Sequence, residues 1–177
     1  MAGKDAEVAV QPLRIYPDEI LRQVCEPVAR VDDSVQQLLD DLGESMYAHQ
    51  GVGLAAPQIG VSRRAVVVDV APRDEESQLI ELVNPRVVEF SEETIDFEEG
   101  CLSLPDEAEM VTRPGRVVVE ALDRRGKPFT VEAEGLLAVA LQHEIDHLDG
   151  RLFIDYLSRL KRSLIDRRLR KRQAQAG

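Results

Sequence analysis

A chain of 177 residues, 44% apolar and 31% charged, has the length of one domain and the composition of an ordinary globular protein. Its net charge of −11 argues against a general DNA- or RNA-binding domain, and no apolar run approaches the roughly 20 residues needed to cross a bilayer. The charge is uneven: residues 159–177 carry eight Lys or Arg against one acid, Asp166, which by difference from −11 leaves the preceding body near −18.

The opening MAGKDAEVAVQPL lacks the basic and apolar regions of a signal peptide and is too acidic for a transit peptide, so the cytoplasm is the expected compartment. Residues 1–11 have no pattern and read as a loose arm. In IYPDEILRQVCEPV, Pro17 and Asp18 can start a short helix that Pro27 ends, and Cys25 reads as a packing residue. From Asp33 a helix is expected, with Asp32 or Asp33 as its cap and Val35, Leu38, Leu39, Leu42 and Met46 on its apolar face. His49, near its end, reads as a polar exposed residue.

GVGLAAPQIG (51–60) follows, where small residues let the backbone pass close to something else. It lacks the Lys-Ser/Thr of a P-loop and the spacing of a dinucleotide fingerprint, so phosphate binding is rejected. Gln58 is its one side chain with hydrogen-bonding reach and no evident structural job. The middle reads as strands over 64–70, 79–85, 86–90, 94–99, 115–122 and 128–134, with turns at Asn84-Pro85 and from Asp123 to Gly126. No regular β-α-β alternation appears, so the expected class is α+β with mixed, mainly antiparallel sheets around one central helix.

That helix begins near Gly135 and carries QHEIDHLDG, residues 142–150. His143 and His147, four apart, share a face and can reach one metal ion. Glu144 is rotated by about 100°, where a general base for a metal-activated water stands without being a ligand. Leu136, Val139 and Ala140 precede His143 on an otherwise apolar face. A catalytic site commonly takes three protein ligands and an open position. Cys101, in EEGCLSLP (98–105), is either that third ligand or a buried cysteine at a strand end.

Together, GVGLAAPQ, EGCLSLP and QHEIDHLDG, in this order, resemble the three motifs of the peptide deformylase family, over about residues 13–155 and in the compact spacing of its shorter bacterial class. The resemblance implies that Cys101, His143 and His147 hold one divalent metal, commonly Fe²⁺ in this family, with Zn²⁺, Ni²⁺ or Co²⁺ able to replace it. Glu144 would be the general acid/base, and the Gln58 amide with the Leu102 N–H would form an oxyanion hole. The substrate implied is the N-formylmethionyl end of a nascent polypeptide, and the products are formate and a free amine. Val52, Gly53 and Phe97 fall where the family's methionine pocket lies, and Leu136, Val139 and Ala140, which line up with His143 by helix phase, are expected to complete an apolar pocket beside the metal. Glu99 and Asp146 are either groups supporting the ligands or ordinary ion pairs.

One catalytic domain is expected over 1–177, with a basic C-terminal helix or tail over 156–177. Leu157, Leu160, Leu164, Ile165 and Leu169 have helical spacing under a basic surface. This is either a helix docked on the acidic body or a ribosome contact through rRNA phosphates, which some bacterial members of the family make. Two other readings compete. A zincin-type protease shares HExxH but takes its third ligand downstream and leaves EGCLSLP unexplained. A structural metal site in an interaction module has no need of Glu144.

Overall fold

A computed structural model describes residues 9–176. Its elements are α1 (Asp33–Ala48), β1 (Gly53–Ala55), β2 (Ala65–Val68), β3 (Ile80–Phe90), β4 (Thr94–Cys101), β5 (Leu104–Pro114), β6 (Arg116–Leu122), β7 (Pro128–Glu134), α2 (Gly135–Leu148) and α3 (Arg159–Ala176), with 3-10 turns at Glu19–Arg22, Ala56–Ile59 and Phe153–Tyr156. Strands β1-β2-β3-β6-β7 form one sheet and β4-β5 a separate ribbon, and every strand pairing is antiparallel. Among the described residues no helix is long and apolar enough to cross a membrane.

The sheet is covered on both faces, which is why β2 reads AVVV without a polar break. Alternate side chains point to opposite faces. Val66 and Val68 pack with Leu141, Ile145 and Leu148 of α2. Ala65 and Val67 pack with Val35, Leu38, Leu39, Leu42 and Met46 of α1. Of the two candidate caps, Asp32 is the one used: its side chain accepts from Val35 N–H and caps α1. A third cluster joins Ile165 and Leu169 of α3 to Leu104, Val111 and Leu152–Ile154, with Cys101 packed against it.

Several expectations need correction. The Asn84-Pro85 step is not a turn: β3 runs through it, with a register break between Val83 and Arg86. Asn84 adopts φ 51° at this bulge, and its side chain pairs with both backbone groups of Val28, each at 2.8 Å. Residues 104–114 form a strand that went unpredicted, because Pro105, Asp106, Glu107 and Glu109 have low strand propensity. In α3, Leu160 and Leu164 are exposed, so the buried stripe is Ile165 and Leu169 alone. Of the arm, residues 1–8 lie outside the described part, while Ala9 N–H and Gln11 N–H bond to Asp41 and Ser45 of α1. His49 is half-buried and contacts the Gln11 carbonyl through Nε2.

Candidate active site

Three elements converge on one cleft of about 360 Å³. The loop Gln50–Val52 with Gly53 of β1 forms one wall, Phe97–Leu102 at the end of the ribbon forms another, and α2 forms the floor. Eleven of the twelve residues singled out in the sequence line it: Val52, Gly53, Gln58, Phe97, Cys101, Leu102, Leu136, Val139, Ala140, His143 and Glu144. The twelfth, His147, lies beneath with its Nε2 3.4 Å from Cys101 Sγ.

The ligand-capable atoms of Cys101, His143 and His147 all lie within 4.8 Å of one another. Helical spacing brings the two rings together, with centroids 5.0 Å apart. His143 Nδ1 is engaged by Glu99 Oε1 at 2.9 Å, which leaves Nε2 facing the cleft. Glu144 Oε1 stands 3.9 Å from the Nε2 of both histidines. One thiol, two imidazoles and an adjacent carboxylate fit a divalent transition metal.

The electrostatics fit as well. Burial, with His143 and Arg113 nearby, holds the His147 imidazole well below its ordinary pKa, in the neutral form that binds metals. Burial opposes a charged His143 ring, but Cys101, Glu99 and Glu144 outweigh it and draw positive charge to this position. Glu144 is buried, its Oε2 has no hydrogen-bond partner among the described residues, and burial first of all pushes its carboxyl up to about 7.

The glycines have specific neighbours. A Cβ on Gly53 would come within 2.8 Å of Glu144 Cγ and 3.0 Å of its Oε2, so the backbone of β1 presses directly on the carboxylate. A Cβ on Gly51 would meet Leu102 Cδ1 at 2.8 Å. β1 is an edge strand. Asp69 N–H donates to the Val52 carbonyl at 2.8 Å, so Gly53, opposite Val68, is a non-bonded position that turns its own N–H and C=O to the free edge.

Gln58 is buried in the 3-10 turn after β1. Its Oε1 accepts from Ala55 N–H at 2.9 Å, which orients the amide so that Nε2 points at Ser103 Oγ (3.1 Å) and Cys101 Sγ (3.5 Å). Leu102 and Ser103 form the tight connection between β4 and β5.

Sequence reasoning missed Arg113 and Ser103. Arg113 is buried, grips both oxygens of Glu99 at 2.6 and 2.9 Å, and reaches Asp146 at 2.9 Å. Burial alone would raise the Glu99 carboxyl, but hydrogen bonds from His143 and Arg113 hold it below its usual range. The only signal in the sequence was an arginine between apolar and β-branched neighbours, which names no partner.

The family model for polypeptide deformylase matches residues 10–163. A peptide deformylase of Rhizobium meliloti (strain 1021) is 53% identical over 164 residues, 93% of this chain and 94% of that protein. The crystal structure of peptide deformylase from Ehrlichia chaffeensis superposes with a TM-score of 0.89 at 37% identity, covering 95% of this chain and 99% of that one. A Met-Ala-Ser-bound class I type b peptide deformylase from Acinetobacter baumannii gives 0.81 at 34% identity, covering 85% and 100%.

Proposed function

We propose the following roles from the premise that the chain belongs to the polypeptide deformylase family, metal-dependent hydrolases that remove the formyl group from the N-terminal formylmethionine of new polypeptides. The observation that carries the assignment is the meeting of Cys101, His143, His147 and Glu144 at the floor of a cleft with apolar lining at Val52, Phe97, Leu136, Val139 and Ala140. Cys101 Sγ and the Nε2 atoms of His143 and His147 would hold the ion, Fe²⁺ in the cell, with Zn²⁺, Ni²⁺ or Co²⁺ as substitutes. When bound, it supplies Lewis acidity and a water of lowered pKa.

The protein's own groups do the rest. Glu144 takes the proton of the attacking water and passes it to the leaving amine nitrogen. As the formyl oxygen gains charge, Gln58 Nε2 and the Leu102 N–H donate to it, the Gln58 amide being held ready by Ala55. Bond formation at the formyl carbon and loss of the C–N bond yield formate and a free α-amine. The methionine side chain is received by Val52, Phe97, Leu136, Val139 and Ala140. The exposed apolar surface of Val52, Phe97 and Leu136 supports this, since such groups gain by covering a thioether chain. The free edge at Gly53 supports strand-like pairing with the peptide backbone, and the Acinetobacter relative is a structure with Met-Ala-Ser bound.

Formate release from formyl-Met-Ala-Ser tests the assignment. Protein prepared anaerobically with Fe²⁺ is expected to turn over, lose activity to a chelator and regain it with Fe²⁺. A folded, metal-loaded chain that releases no formate contradicts it.

Gly53→Ala is expected to lower kcat/KM by about 10²-fold with the fold intact, because the added methyl displaces the buried Glu144 carboxylate. Kinetics beside a melting curve check this; unchanged kcat/KM would show that Glu144 needs no such placement.

We take residues 1–177 as one catalytic domain, supported by the seating of α3 on the third apolar cluster. The cytoplasm, where new polypeptides are made, is its proposed compartment. Lys161, Arg168 and Arg172 are spent on Glu109, Glu107 and Asp106 of the ribbon. Arg159, Arg167 and Lys171 are exposed and have no ion-pair partner among the described residues. These three are proposed to meet rRNA phosphate. Reversing them to Glu leaves Ile165 and Leu169 seated. It should weaken ribosome co-sedimentation and flatten the log-affinity against log-salt slope by about two to three. Unchanged co-sedimentation removes the ribosome reading.

A further inference from the structure

The Glu99 carboxylate that holds His143 is itself one station in a longer chain of contacts. Arg113 binds Glu99 through Nε and Nη2, and its remaining Nη1 donates to Asp146 Oδ2 at 2.9 Å. The same Asp146 oxygen accepts from Tyr156 O–H at 2.7 Å. The Tyr156 ring also lies over the guanidinium, 4.5 Å from its carbon to the ring centroid. The chain therefore leaves α2 at His143, crosses β4 and β5, and returns to α2 at Asp146. It brackets the two elements that carry the ligands, since Cys101 ends β4 and both histidines lie on α2.

Behind this bracket a cavity of about 560 Å³ is lined by Arg113, Asp146 and Tyr156 among others. On that side Asp146, through its hydrogen bond, and Tyr156, through its ring, hold the guanidinium against Glu99. From this geometry we propose that Asp146 and Tyr156 are positioning residues for the metal, acting on His143 through Arg113 and Glu99. The proposal rests on the reading of Cys101, His143 and His147 as metal ligands. Groups that orient ligands from behind typically change metal affinity by about 10–100-fold when removed.

The test is the rate at which Zn²⁺-loaded protein gives up its metal to a chelator. Asp146→Asn is expected to speed release by about 10–100-fold, and Tyr156→Phe, which keeps the ring over Arg113, to speed it by less. Asp149→Asn is the control. Asp149 pairs with Arg64 at 2.9 Å at the C-terminal end of α2 and lies outside the bracket, so its loss tests for general loosening of the helix. The Co²⁺-loaded forms should show altered ligand-field bands in Asp146→Asn and unaltered bands in Asp149→Asn. Equal release from wild type and both bracket variants overturns the proposal, as does equal acceleration by the control. If Asp146→Asn does not fold, Tyr156→Phe decides alone. Wild type that binds no metal overturns both this proposal and the ligand assignment, whereas tight wild-type binding with unchanged variants overturns the proposal alone.

Discussion

Glu144→Ala should release formate about 10²–10⁴-fold more slowly than wild type while keeping its full metal content. Glu144 approaches the Nε2 atoms of His143 and His147 no closer than 3.9 Å, which in the proposed roles leaves it to serve water rather than the ion. Burial pushes its carboxyl up to about 7, near the working pH where a proton-transfer group is most effective. A divalent cation alongside favours the ionised base. Oε2 lacks a hydrogen-bond partner among the described residues, so no fold-holding contact seen at that atom is lost with the side chain. The comparison is made at matched metal content. Activity within tenfold of wild type would remove Glu144 from the mechanism, and loss of the metal would make it a ligand.

Arg113→Met should be the most destabilising single change near the site. The guanidinium is buried with 3% of its side chain exposed, and so is the Glu99 carboxylate it grips, also at 3%. Taking away one partner of such a pair leaves the other charge buried and uncompensated, which costs about 3–5 kcal/mol. For a chain of this size the melting temperature should fall by roughly 6–20 °C at fixed metal concentration. Adding Glu99→Gln should recover part of the loss, because the orphaned charge is then gone. A fall of under about 2 °C would mean that water reaches Glu99 and the pair is not effectively buried.

The helix bearing His143 and His147 was legible because a 3.6-residue period imposes both its apolar face and its histidine spacing. α1 was legible for the same reason, with its cap narrowed to Asp32 or Asp33, of which the fold uses Asp32. The small residues of 51–60 announced a close approach, but only the fold shows that Gly53 faces Glu144 and Gly51 faces Leu102. Arg113 was invisible because its partners stand 14 and 33 residues away, and nothing local in TRP points to either. The ribbon strand 104–114 was missed for a related reason. Its acids are tolerated because they face solvent or meet Lys161, Arg168 and Arg172 of α3, contacts absent from local propensity. Asn84-Pro85 misled in the other direction, since tertiary bonds to Val28 turned a turn signal into a bulge. In the tail, periodicity found the helix, but the shape of the third cluster decided that Ile165 and Leu169, rather than Leu160 and Leu164, are buried.

The most direct measurement is X-ray absorption at the zinc edge of Zn²⁺-loaded protein. The account predicts one sulfur near 2.3 Å and two imidazole nitrogens at about 2.0–2.1 Å, with a light-atom ligand completing four-fold coordination. The sulfur shell should vanish in Cys101→Ser. A spectrum without sulfur in the wild type, or a sulfur shell that survives Cys101→Ser, would contradict a metal held by Cys101, His143 and His147.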